Sequence, residues 1–239
     1  MVAINHVTEA FTEIAPNYSS TMNKELTQFW GISYAEFVER LVTVAAVKPR
    51  EKVLDIATGT AAIPLHLLSN DQPQEHVVGL DITPAMLLHG RKLIVDRDKH
   101  HSIDLLCASA MDMPFANGIF DVIICGLGTH HMNVPRMLAE ARRLLAKGGR
   151  LIISDVGATL FWRSLSGKLI IRLLMCMYGF TNQGTRTQAE LEAFHNVRTA
   201  DEWLALLKDF GYIKVTIDEI KPRLPWFPSG LTLLAEITG

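Results

Sequence analysis

The stretch VLDIATGTAA, residues 53–62, constrains the fold of this chain more than any other. An apolar run carrying one carboxylate, Asp55, gives way to a turn of small residues and then to the start of a helix. Small side chains let backbone N–H groups approach a ligand closely, and a helix N-terminus leaves its first donors unpaired. A strand, tight turn and helix with a ligand seat at the turn is the expectation.

The same unit recurs along the chain. Residues 59–69 read as a helix with Pro64 within about its first turn, where no intrahelical bond is lost. A polar turn at 70–75 leads to a strand at 76–81 (HVVGLD), ending in a second carboxylate, and Pro84 opens a helix over 84–96. Further strands are predicted at 102–109, 120–126 and 150–156, with a helix at 135–146 closed by Lys147-Gly148-Gly149. Before the turn, 32–47 spaces Phe37, Leu41 and Ala45 as one helix face, and 1–31 reads as an N-terminal arm whose short helix is interrupted by Pro16 and Asn17. Apolar strands alternating with helices imply a parallel sheet covered on both faces. The alternation breaks over 158–198, read as a helical cap inserted between the fifth strand and the last helix. It resumes with a helix at 200–210 and strands at 212–220 and 231–237, which a short loop forces to pair antiparallel.

Composition narrows the function classes. The 239 residues, 49% of them apolar, allow one large α/β domain spanning 1–239. A net charge of −2 without a clustered basic tract offers nothing to nucleic acid. The N-terminal MVAINHVTEAF lacks the features of a secretory signal, so a cytoplasmic location is expected. The run at 169–180, LIIRLLMCMYGF, is interrupted by Arg172 and falls short of the ~20 residues a membrane span needs, so no stable membrane insertion is expected. Cys107, Cys125 and Cys176 are odd in number, widely spaced and set in apolar contexts. They are read as free thiols behaving as small hydrophobes, with no disulfide and no metal site.

In open parallel sheets, ligands bind outside the carboxyl ends of the strands. Asp55, Asp81, Ser109 and the segment from Gly126 to His131 follow the first four strands in turn. Asp81, closing the second strand, is suited to accept both hydroxyls of a ribose. Asp55 either bonds the backbone of the turn or meets a cationic ligand group through water.

Read in order, VLDIATGTAA, GLDITPAML (79–87), ASAMDMPFANGIFDVI (108–123), LLAKGGRLIISDV (144–156) and FTEIAPNYSSTMN (11–23) resemble the class I S-adenosylmethionine-dependent methyltransferases. The nearest likeness is to the ubiquinone/menaquinone C-methyltransferase-like (type 11) group. The resemblance covers residues 10–156 well and implies a Rossmann-like, doubly wound sheet of seven strands, mostly parallel with a C-terminal antiparallel hairpin. It implies S-adenosylmethionine as cofactor and S-adenosylhomocysteine as product. On that resemblance Ala57 and Gly59 support the methionyl portion, Asp81 and Ile82 the ribose, and Ala110 N–H with the preceding side chain the adenine, with Gly126 completing the set. The preceding position is usually acidic in this family; here it is Ser109, which predicts weaker cofactor binding. Met86 and Met111 either pack on the cofactor or belong to the core. Tyr18 either closes over the cofactor or anchors the arm.

Methyl transfer from a sulfonium requires mainly alignment of the acceptor, with a base where the acceptor carries a proton. His130 and His131 are the candidate bases, or else ordinary loop histidines, since two adjacent residues of a regular backbone cannot both point inward. His195 is a further acceptor-side candidate, or else an exposed loop histidine. The 169–180 run with Trp226 and Phe227 either lines an apolar acceptor pocket or packs the cap on the sheet. The expected reaction is methyl transfer to an O, N or C atom of a small, largely apolar or aromatic metabolite. The alternatives are a quinone-precursor C-methyltransferase, a protein that uses the cofactor for a non-methylating cyclisation or rearrangement, and a nicotinamide oxidoreductase, whose Gly-x-Gly-x-x-Gly turn Ala57, Gly59 and Ala62 loosely mimic. The oligomeric state is left open.

Overall fold

A computed structural model describes residues 2–69, 76–181 and 184–238; the predicted polar turn at 70–75 lies outside them. Strand β1 (Val53–Ile56) is buried at all four residues, as an apolar run inside a sheet covered on both faces must be. Strands β2 (Val77–Asp81), β3 (Ile103–Cys107), β4 (Phe120–Gly126), β5 (Leu145–Gly157), β6 (Ile213–Ile220) and β7 (Ser229–Glu236) complete a seven-stranded sheet. Its order is β3-β2-β1-β4-β5-β7-β6. The first five strands run parallel, while β7 inserts antiparallel between β5 and β6.

Alternate strand residues serve opposite faces. Leu54, Ile56, Ile123, Cys125, Leu151 and Ile153 pack against α6 (Val134–Leu144) and α10 (Ala200–Asp209), where Met137, Leu138, Trp203 and Leu207 are buried. Val53, Val122, Ile124 and Ile152 pack against α2 (Tyr18–Trp30), α3 (Tyr34–Ala45) and α4 (Ala62–Leu67), through Trp30, Phe37, Leu41 and Ile63. Side chains stepping to opposite sides of the pleat place these two sets without further instruction. Capping boxes, Ser33 with Glu36 and Thr199 with Glu202, start α3 and α10.

Several boundaries differ from the sequence reading. Residues before 31 form two 13-residue helices, α1 (Val2–Ile14) and α2, because Pro16 sits at the start of a 3-10 turn, where its missing N–H is not needed, and so joins the helices instead of breaking one. Helix α4 begins at Ala62, not Gly59, since Gly59 and Ala61 hold left-handed φ of 55° and 61°. Strand β5 starts at Leu145 and runs through Lys147-Gly148-Gly149, which form an irregularity in its pairing with β4. The three cysteines are free, but only Cys125 is buried; Cys107 and Cys176 are exposed, so neither acts as core.

Helix α5 (Pro84–Asp96) follows β2. Between β5 and α10 lie α7 (Leu160–Arg163), α8 (Leu165–Thr181) and α9 (Thr185–Ala193), followed by a 3-10 turn at Phe194–Asn196. Among the described residues no helix is long and apolar enough to cross a membrane.

Candidate functional site

Strand order reverses between β1 and β4, where crossovers leave to opposite sides and open a crevice at the carboxyl ends. A cavity of about 590 Å³ occupies it. Its floor is built from strand ends: Ala57 and Gly59 after β1, Asp81 to Thr83 at β2, Ala108 to Met111 after β3, and Leu127, Gly128, His130 and His131 after β4. Its roof is helical, with Val7 and Phe11 from α1, Tyr18 from α2, and Ala189, Glu192 and Ala193 from α9.

The turn after β1 follows from its small residues. Ala57, Gly59 and Ala61 all take φ between 55° and 61°, a region costly to residues with a Cβ. A Cβ on Gly59 would stand 3.0 Å from Met86 Cε and 3.9 Å from Tyr18 Cε1, so the bare backbone keeps this wall of the cavity open. Gly79 serves the turn from below, since a Cβ there would lie 2.7 Å from Thr58 Oγ1. The Asp81 carboxylate accepts from Gly59 N–H at 2.9 Å and from Thr83 N–H at 2.8 Å. Each oxygen retains a lone pair for a ligand. Burial raises the Asp81 pKa against those bonds. Ser109 Oγ accepts from Met111 N–H at 3.2 Å, turning the chain at the cavity wall.

Asp55 and Gly126 are not part of the wall. Asp55 is fully buried beneath the turn, and neither carboxylate oxygen has a well-formed hydrogen-bond partner among the described residues. Burial lifts its pKa to about 8, with the nearby Thr58 hydroxyl acting downward and Asp81 upward. Gly126 faces the opposite side of the sheet, where a Cβ would meet Ile63, Leu41 and Phe37. Leu127 and Gly128 reach the cavity in its place.

The histidines depart furthest from the sequence reading. Thr129–His131 form a 3-10 turn, whose tighter winding brings both rings to the cavity, centroids 4.2 Å apart. His130 Nδ1 is 2.7 Å from Asp155 Oδ1, and Asp155 also accepts from Thr129 Oγ1 and from the backbone N–H groups of His130 and Val156. Burial acts to lower the His130 pKa, but the Asp155 carboxylate outweighs it and raises it to about 8. Burial acts to raise Asp155, and the His130 charge with these hydrogen bonds holds it below the ordinary carboxylate value. His131 is driven well below its ordinary value by burial and by the charge of His130; neither of its ring nitrogens has a hydrogen-bond partner among the described residues. Phe11 packs edge-on against its ring at 5.2 Å, and Glu190 Oε1 stands 3.9 Å from Nε2.

Asp155 escaped the sequence reading although the signal was present, a carboxylate next to the last residue of RLIISDV, near the strand end as Asp81 is in HVVGLD. Asn196 and Arg198 were also missed; both line the cavity, and Asn196 Nδ2 donates to His130 O at 3.1 Å. His195, by contrast, is exposed and lies off the cavity wall. Trp226 is 42% exposed, Phe227 packs on Phe29, and none of the described side chains of 169–180 lines the cavity. The cavity is roofed by α1, α2 and α9 instead. His130, His131 and Glu190 also bring potential ligand atoms within 4.8 Å of one another, a trio the cysteine-based reading did not anticipate.

Similarity to known proteins agrees with this geometry. A demethylmenaquinone methyltransferase of Symbiobacterium thermophilum is 32% identical over 148 residues, 62% of this chain and 57% of the relative. One of Thermus thermophilus is 33% identical over 146 residues, 61% of this chain and 63% of the relative. The match thus spans less than two thirds of either relative. In structure, the geranyl diphosphate C-methyltransferase of Streptomyces coelicolor, solved with Mg2+, geranyl diphosphate and S-adenosylhomocysteine, superposes with a TM-score of 0.66 at 14% identity. That alignment covers 84% of this chain and 78% of the other. At such identity the likeness shows the fold. The ubiE/COQ5 methyltransferase family model matches residues 2–165, which include the turn after β1, Asp81, Ser109 and the His130–Asp155 pair, and the chain belongs to that family.

Proposed function

We propose that the chain transfers a methyl group from S-adenosylmethionine to an O, N or C atom of a small, largely apolar or aromatic molecule, and we place that chemistry in the cytoplasm. The observation that carries this reading is the His130–Asp155 pair on the same cavity as the Gly59 turn and Asp81. The donor half fits the cofactor: the bare backbone at Gly59 provides a cradle, and the Asp81 carboxylate keeps free lone pairs beside it. Ala57 and Gly59 would support the methionyl portion, Asp81 and Ile82 the ribose, and Ser109, Ala110 and Met111 the adenine, with Met86 and Tyr18 packing alongside. When bound, S-adenosylmethionine supplies a methyl group on a positively charged sulfur.

The chain's own contribution is positioning and proton removal. Asp155 holds His130 by Nδ1, so Nε2 is the nitrogen that takes the acceptor's proton. His131, kept neutral, supplies a second acceptor or donor within the apolar enclosure of Phe11. A quinone precursor is the second reading, favoured by the names of the sequence relatives. Against it, the family match stops at residue 165, before α9, which supplies three residues to the roof.

The test is incubation of the chain with S-adenosylmethionine and a panel of phenolic, indolic and quinol acceptors, following S-adenosylhomocysteine. Acceptor-dependent formation, lowered about 100-fold or more in His130→Ala and unaffected by a chelator, is the expected result. A product formed without S-adenosylhomocysteine points to a cyclisation or rearrangement and overturns methyl transfer. Thermal stabilisation by NAD(H) and not by S-adenosylhomocysteine overturns the cofactor.

A further inference from the structure

Helix α8 presents an apolar face to solvent. Leu165, Leu169 and Leu173, one helical turn apart, are 88%, 71% and 61% exposed, and Ile170 and Leu174 widen the stripe. The buried residues of the helix, Gly167, whose bare backbone permits close approach, and Ile171, fall outside that stripe, and the helix packs on α7. At about 100° per residue the exposed apolar residues occupy roughly half the circumference, directly away from the body of the protein. Lys168 and Arg172, both exposed, lie one turn apart on the shoulder of that stripe, and LSGKLIIRLLMCMYGFT contains no acidic residue. Leu160 of α7, 80% exposed, extends the apolar surface.

We propose that α8 is an interfacial anchor that docks the protein on an anionic lipid bilayer. A helix with a broad apolar face, cations at its edge and no acids lies in the plane of a membrane surface, its leucines among the acyl chains and its basic heads at the phosphates. The charge pattern selects this occupant over a second copy, since two α8 helices would oppose Lys168 and Arg172 with like charges and no carboxylate of their own. Helix α8 begins at Leu165, the last residue that the family model matches. It packs on α9, which roofs the cavity, and this places the docked surface one element away from the acceptor side. The inference does not depend on the reaction assigned to that cavity.

Vesicle flotation of the whole chain tests it, using phosphatidylcholine alone and phosphatidylcholine mixed with phosphatidylglycerol. The expected result is co-flotation with the mixed vesicles, weakened by salt. Leu169→Glu with Leu173→Glu should lower the bound fraction about tenfold or more. Lys168→Ala and Arg172→Ala should each lower it about fivefold. All these side chains are exposed, so unchanged circular dichroism and melting temperature separate lost docking from lost folding. Failure of the wild type to float, or equal flotation of the leucine variants, overturns the proposal. So does a dimer in light scattering that those leucine changes dissolve while vesicles bind neither form, because the face then belongs to a second copy.

Discussion

At the scale of single residues, Asp55 shows how the site strains the fold. A carboxyl with an ordinary pKa near 3.8 and a folded-state value of about 8 contributes stability that is complete below about pH 4 and lost as pH rises through 8. Asp55→Asn should therefore melt above the wild type by a margin that widens from about pH 4 to about pH 8 and then stays constant. A margin that is flat across that range in thermal scans would show Asp55 to ionise normally. The His130–Asp155 pair gives the complementary prediction. With the carboxylate beside it, His130 loses its proton only near pH 8, so a rate limited by the base form rises through that pH. In Asp155→Asn the raising charge is gone while burial remains. The inflection should move below 7, and kcat should fall by about tenfold or more as the ring loses its orientation. An unmoved inflection in the pH–rate profile would assign it to another group.

At the scale of elements, α9 is tied to the N-terminal helices by polar links. Arg186 forms an ion pair with Glu25 of α2, and Thr185 donates to Glu13 of α1 at 2.7 Å. Partly exposed pairs of this kind contribute about 1 kcal/mol or less. Arg186→Ala should thus speed hydrogen exchange in α9 by roughly fivefold while leaving the sheet's protection unchanged. Uniform acceleration across the sheet in exchange mass spectrometry would show instead that the link supports global stability. The strand ends were legible in the sequence because each lies where an apolar run stops, as at Asp81. The same logic could have reached Asp155 and did not, because a single carboxylate says nothing of its partner until the fold brings β5 beside β4. The joint inward placement of His130 and His131 was illegible because it depends on a 3-10 turn, which residue spacing does not announce. The run at 169–180 misled for a different reason. Apolar periodicity reports that a face seeks an apolar surface, and does not say whether that surface lies inside the molecule.

At the scale of the whole molecule, the sheet joins distant parts of the chain. Trp30 donates from Nε1 to Pro228 O at 2.9 Å, and its ring lies so close over β7 that a Cβ on Gly230 would come within 3.1 Å. Removing a buried tryptophan costs about 3–5 kcal/mol. Trp30→Ala should lower the urea midpoint accordingly, and a loss below about 1 kcal/mol would mean that α2 is held elsewhere. The place of β7 between β5 and β6 has a temporal side as well. The outer edge of β5 is finished at Gly157, yet its partner begins only at Ser229, about seventy residues later. At about 5–20 residues per second, a growing chain holds an unpaired sheet edge and an unseated Trp30 for several seconds. A ribosome-bound chain stalled before residue 229 should be cut readily by protease across α2 and β5, and one that has released β7 should resist. The sheet is thus built outward from its middle, and an early helix, α2, waits for the latest strand.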